Sequence, residues 1–201
     1  MIFTVPLDPP WIADPDDDVT GCIERGDLRA ALHHLMKRHR TRVYHYCSTA
    51  LRDPVLADDV CQQIFIQAFR DLSRFHGRSK IRIWLFGIAR HRVLDAAKAR
   101  RRRLAHLQGR PDPEALDPRP SPAESLDERR RRAALVRGLE RLDDRARRAV
   151  VLRFQEGLTF EEMAAICREK PGTLAARIAR ALPVLRAELE PRRRVAWSVG
   201  A

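Results

Sequence analysis

The chain has 201 residues, 39 basic and 27 acidic, for a net charge of +12. That length buries one ordinary core or two small ones of roughly 70 to 80 residues each, which excludes a large multidomain enzyme. The positive surplus makes a polyanion the default partner, nucleic acid before an acidic membrane, and no apolar run reaches the ~18 residues of a membrane span.

The stretch Met1 to Asp18 carries five aspartates and no Lys or Arg, which is unlike a secretory leader; residues 1–19 read as an acidic extension, either disordered or folded onto a basic surface of the protein. From Val19 to Arg103 helix formers dominate and Pro54 is the only proline, so 20–103 reads as one helical unit. Asp53 followed by Pro54 predicts a helix start: the carboxylate can accept an orphan amide hydrogen, and proline has none to satisfy. Ile81, Trp84, Leu85 and Ile88 recur at i, i+3, i+4 and i+7, which predicts one buried stripe on a helix over about 79–101 and makes Trp84 core. Asp95 falls seven residues after Ile88 and is predicted to be a buried or half-buried carboxylate with a partner. The same helix carries Lys80, Arg82, Arg90, Arg92, Lys98 and Arg100 to Arg103 against Asp95 alone. Such a helix can rest its stripe on a core and present guanidinium groups to phosphates, or it can be a solvated basic face.

Between Gln108 and Glu124 the composition changes. Pro111, Pro113, Pro118, Pro120 and Pro122 alternate with carboxylates, and from Leu104 to Glu128 six carboxylates face two arginines. Residues 104–127 therefore read as a flexible, acidic, Pro-rich linker between two basic ends. Beyond it, over 128–190, helical character resumes, with a capping box at Ser121 to Glu124 or Ser125 to Glu128 and then Leu135, Leu139 and Leu142. Asp143 can cap a helix that Gly157 stops, and Thr159-Phe-Glu-Glu162 is a second capping box opening a helix through Cys167. Pro171-Gly172-Thr173 turns the chain into a last helix reaching about Leu189, so a short helix, a turn and a longer helix form a helix-turn-helix. Residues 191–201 are a tail. The fold class is all-α: two small helical domains on a linker, the second containing the helix-turn-helix.

Sites of other kinds leave no mark. There is no phosphate-cradling glycine loop, HExxH or GxSxG, so neither an enzyme nor a cofactor is predicted. Cys22, Cys47, Cys61 and Cys167 form no CxxC pair, which suits reduced thiols in a cytoplasm, and His33, His34, His45 and Cys47 match no zinc spacing.

Four segments resemble one family, the extracytoplasmic-function (ECF) sigma factors of bacterial RNA polymerase. Ala57-Asp-Asp-Val-Cys-Gln-Gln-Ile-Phe-Ile66 and Trp84-Leu-Phe-Gly-Ile-Ala-Arg-His-Arg-Val-Leu-Asp95 are similar to signatures of sigma region 2. Gly157-Leu-Thr-Phe-Glu-Glu-Met-Ala164 and Gly172-Thr-Leu-Ala-Ala-Arg-Ile-Ala-Arg-Ala181 are similar to those of region 4. The resemblance implies a factor without catalysis of its own that binds core RNA polymerase through its largest subunits, reads promoter DNA and helps to open it. A free-standing helix-turn-helix regulator of duplex DNA is the alternative. The resemblance implies that Asp59, Gln62, Gln63 and Phe65 meet the polymerase clamp, Phe65 being equally readable as core. It implies that Phe75, His76, Arg78, Lys80, Arg82, Arg90, His91 and Lys98 hold the minus-ten element, where flipped bases offer faces to stack on. Thr173, Ala176, Arg177 and Arg180 would hold the minus-thirty-five element, and Asp112, Glu114, Asp117 and Glu124 would enter the polymerase cleft. An anti-sigma factor is a further implied partner. The chain departs from the family at His91, at Ala97-Lys98, and at Ala175 and Ala176. Alanines cannot hydrogen-bond a base edge, so Arg177 and Arg180 are expected to grip mainly phosphate or one guanine and leave recognition to DNA shape.

Overall fold

The computed structural model describes residues 16–106 and 126–190. These form α1 (Asp17–Glu24), α2 (Leu28–Leu51), α3 (Pro54–Asp71), a 3-10 turn (Leu72–Arg74), α4 (Ile81–His106), α5 (Leu126–Glu140), α6 (Asp144–Val150), α7 (Phe160–Cys167) and α8 (Pro171–Leu189). A π-helical turn (Val151–Gln155) continues α6. No strand occurs among the described residues. The linker carboxylates Asp112, Glu114, Asp117 and Glu124 lie outside them.

Helix starts follow local chemistry. Asp53 accepts the Leu56 amide at 2.9 Å with Pro54 in the first turn. Asp143 accepts the amides of Arg145 and Ala146, both at 2.8 Å. Thr159 and Glu162 close a full capping box, at 3.1 and 2.8 Å. Each such cap satisfies amides that the helix leaves open and contributes about 1 kcal/mol. Of the acidic N-terminal stretch, Asp16 to Asp18 are among the described residues. The Arg38 guanidinium reaches Asp16 at 2.7 Å and Asp18 at 2.8 Å, and holds the Asp18 carboxyl down to about 2. Asp16 also meets buried His39 at 2.9 Å; burial opposes its ionisation, but the two partners outweigh it and keep its carboxyl below the usual range.

α4 corrects two expectations. It begins at Ile81 and runs to His106, and its most buried positions are Ile81, Leu85, Phe86, Ala89 and Val93. Trp84 and Ile88 are only half-buried, at the edge of the stripe. Asp95 is exposed, its side chain 68% accessible and 3.9 Å from His91 one turn back. The phase of the stripe is set by Phe86, because α4 is covered from two sides: α2 and α3 on one, α7 on the other.

The two halves of the chain are not separate bodies. One apolar cluster runs from Leu35, Ile64 and Leu85 to Leu152, Met163, Ile166, Leu174 and Ile178. A smaller core holds Leu142, Ala146, Val150, Ala181 and Leu185. α8 thus lends its first half to the shared cluster and its second half to the smaller one. α5 closes that smaller core at Gly138, where a β-carbon would stand 3.0 Å from Leu185 Cδ2. Polar bonds stitch the seam: Arg82 donates to the Glu156 carbonyl at 3.2 Å, Arg52 to the Glu140 carbonyl at 2.7 Å, and Arg101 pairs with Asp144 at 2.9 Å.

The seam also hides a carboxyl. Glu156 is 3% exposed and neither side-chain oxygen has a hydrogen-bond partner. Burial raises its pKa, while the charges of Arg42 and Arg82 and a protonated His39 pull the other way. A group raised in the packed state stabilises that state at low pH and ceases to as pH rises through its raised value. Glu156→Gln is therefore expected to melt about 2–4 °C higher than the parent at pH 8, the shift that ~1 kcal/mol gives in a chain of this size. The gap should close as the pH approaches 5, as calorimetric scans across that range will record.

Candidate nucleic-acid interface

The basic helix divides its cations between the fold and the solvent. Arg92 donates to Gln67 Oε1 at 2.7 Å and Arg100 to the Leu51 carbonyl at 2.8 Å, while Arg82 and Arg101 serve the seam. Arg82 also lies 3.7 Å from Glu162. What remains for a polyanion near the start of α4 is the loop 75–80, with His76, Arg78 and Lys80 exposed, and then His91 and Lys98 on the exposed side of the helix. Phe75 is half-buried with its ring 5.4 Å from Trp84, so the two aromatics form a joint shelf beside that loop. Arg90 is half-buried and turned toward the second half of the chain. Of the eight predicted minus-ten residues, five are exposed, Phe75 and Arg90 are half-buried, and Arg82 is engaged in the seam.

The helix-turn-helix is made by α7 and α8, but its turn differs from the expectation. Arg168, at φ 55 and ψ 42, is the left-handed residue that ends α7, and Pro171-Gly172-Thr173 already belongs to α8. Pro171 suits a first helical turn, so the reversal falls on 168–170. The exposed strip of α8 presents Thr173, Ala176, Ala179, Arg180 and Pro183. Arg177 is not on it. Its guanidinium donates to both oxygens of Glu169, at 3.1 and 2.5 Å, which keeps the carboxyl low and the guanidinium high. The expectation that Arg177 is free to grip phosphate is corrected accordingly: a bidentate pair fixes it beside the turn.

On α3, Asp59, Gln62 and Gln63 are exposed, whereas Phe65 is 4% exposed and belongs to the core. The same strip carries Val55, Ile66 and Phe69, exposed by 71, 52 and 39%. Ile66 and Phe69 border a groove of about 470 Å3 between α2 and α3, with Leu32, Met36 and Phe65 on its walls. Sequence reasoning missed Ile66 and Phe69, although the recurrence 55, 59, 62, 66, 69 is a helical period that the α3 cap would have placed. An apolar row on an otherwise solvated helix marks a contact surface.

Among the described residues no group of three or more His, Cys, Asp or Glu is placed to hold a metal ion, and no helix is long and apolar enough to cross a membrane.

Comparison with known proteins finds two matching families, one in each half of the chain. Residues 35–103 match the family described as Sigma-70 region 2, and residues 132–182 match Sigma-70, region 4. The ECF RNA polymerase sigma factor SigC of Mycobacterium tuberculosis (strain CDC 1551 / Oshkosh) is 32% identical over 147 residues, which cover 70% of this chain and 74% of that protein. The RNA polymerase sigma-H factor of Pseudomonas aeruginosa is 28% identical over 185 residues, covering 89% and 95%. Among solved structures, the sigma factor RpoE in complex with the anti-sigma factor NepR from Bartonella quintana shares the fold with a TM-score of 0.70, at 24% identity over 80% of this chain and 98% of that one. CnrH in complex with the cytosolic domain of CnrY does so with a TM-score of 0.62, at 24% identity over 88% and 97%.

Proposed function

The chain belongs to the ECF group of bacterial RNA polymerase sigma factors, which recognise promoters for the polymerase, and from that premise we propose how its surfaces divide the work. The observation that carries the reading is the order of parts: a region 2 match, an acidic Pro-rich segment and a region 4 match in one chain. A free-standing helix-turn-helix regulator would need only the last of these, so that alternative is not favoured. The protein works by binding, in the cytoplasm and without catalysis.

Asp59, Gln62 and Gln63, joined by Ile66 and Phe69, form the face for the polymerase clamp, with Phe65 supporting it from within. The aromatic shelf of Phe75 and Trp84, with His76, Arg78, Lys80, His91 and Lys98 around it, takes the opened minus-ten strand by stacking and phosphate contact. α8 enters the major groove with Thr173, Ala176 and Arg180, which offer one hydroxyl, one methyl and one free guanidinium. Asp112, Glu114, Asp117 and Glu124 enter the polymerase cleft. The two promoter elements lie about 25 base pairs apart, roughly 85 Å of duplex. A chain whose halves share a core cannot span that distance, so the seam parts when the polymerase and promoter are engaged. An anti-sigma factor, the partner in the Bartonella quintana structure, would act before that step.

Three outcomes are expected. In run-off transcription from genomic fragments, core polymerase supplied with the protein starts at defined sites that are silent without it; no new start site would refute the assignment. Ile66→Asp lowers affinity for core polymerase at least ~10-fold, as biolayer interferometry would read, and leaves the melting temperature within about 1 °C because the residue is half exposed. Single-base changes across the minus-thirty-five element alter initiation by less than about 5-fold, save at one position facing Arg180; several penalties above ~1 kcal/mol would show direct readout instead.

A further inference from the structure

Behind the helix-turn-helix lies a cleft that neither DNA nor polymerase contact explains. It has a volume of about 430 Å3 and is lined by Tyr46, Arg90, Arg145, Arg148, Arg168 and Arg177, from both halves of the chain. The only carboxylate on its wall is Glu169, which is already committed to Arg177. Among the described residues, Arg90, Arg145, Arg148 and Arg168 make no ion pair. Four unpaired guanidinium groups around one space repel one another, and their planar forks match phosphate oxygens two at a time.

The floor supplies an independent sign. Tyr46 is fully buried, its ring packed edge-to-face on Phe86, and its hydroxyl has no hydrogen-bond partner. Tyr46 lines the cleft, and although burial raises its hydroxyl's pKa, the charges of Arg148 and Arg90 act against that rise. A buried donor without an acceptor is uncommon in a folded protein. Here it stands under a ring of cations.

We propose that this cleft binds a small polyanion carrying clustered phosphate groups, gripped by Arg90 of α4 and Arg148 of α6, with the Tyr46 hydroxyl donating to it. The volume suits a short phosphate chain or a nucleotide and is far too small for a double helix. Because the walls come from both halves, the bound ligand holds them together and keeps α8 away from promoter DNA. That consequence rests on the sigma-factor reading, whereas the site itself does not.

Isothermal titration calorimetry of the full chain with inorganic tripolyphosphate, at an ionic strength fixed with sodium chloride, tests the site. One ligand per chain is expected. Arg148→Ser should weaken binding at least ~10-fold and Tyr46→Phe, which keeps the ring, by about 5-fold. Arg129→Ser removes the same charge from the exposed face of α5 and should leave affinity within about 2-fold. Tighter binding of adenosine triphosphate than of tripolyphosphate would assign the nucleotide form of the ligand, and the reverse the inorganic chain. Binding that survives both Arg148→Ser and Tyr46→Phe, or that falls equally in Arg129→Ser, is surface condensation on a basic protein and overturns the proposal. No polymerase enters this measurement, so its failure leaves the sigma-factor assignment standing, and a failed transcription assay leaves the site standing.

Discussion

The apolar contact between α7 and α4 governs the rest of the molecule. α7 has 8 residues, too few to hold helical structure in water by itself, even with a full capping box at its start. It persists because Met163 and Ile166 are buried in the same cluster as Leu85 and Leu35. At roughly 1.5–3 kcal/mol for each large side chain taken from water, that burial outweighs any single polar bond in the seam. The bonds from Arg82, Arg52 and Arg101 contribute direction instead: they fix how the halves are turned once the apolar surfaces have met.

Charge in this chain is allocated less freely than its total suggests. Arg147 is 2% exposed and spends its guanidinium on the carbonyls of Leu139 and Leu142, at 2.8 and 2.6 Å, where the chain turns from α5 into α6. Arg38, Arg82, Arg92, Arg100 and Arg177 are likewise committed to protein acceptors. An arginine carries five donors, which lets it close several backbone or carboxylate gaps at once. A basic composition therefore supplies scaffold as well as surface: of the eight Lys and Arg of α4, Arg82, Arg92, Arg100 and Arg101 bond within the protein.

Local chemistry made much of this readable beforehand. Asp53, Asp143 and the Thr159–Glu162 box announce helix starts through bonds within three residues, and each is present. Long-range packing was harder to foresee. Residues 81–88 of α4 are apolar on nearly every side, so periodicity could not choose between the phase of Trp84 and that of Phe86; the second cover, α7, comes from far along the chain. The same gap explains Asp95, which would be buried only if the Ile88 side faced the core at that level. The pairing of Arg177 had no sign in the sequence, because its partner, Glu169, follows the left-handed Arg168 in the turn. Glu156 carries no sequence sign of its burial at all, since its surroundings are drawn from α2 and α4.

The four cysteines, noted first only for lacking a pairing pattern, acquire a use from their positions. All are buried, and burial lifts the thiols of Cys47, Cys61 and Cys167 well away from the reactive range. Cys167 closes α7 at the seam, while Cys47 and Cys61 lie in α2 and α3. On the proposed parting of the halves, the first thiol sits at the opening and the other two lie within one half. Their relative alkylation rates form an internal gauge of how often the molecule opens, with no label introduced.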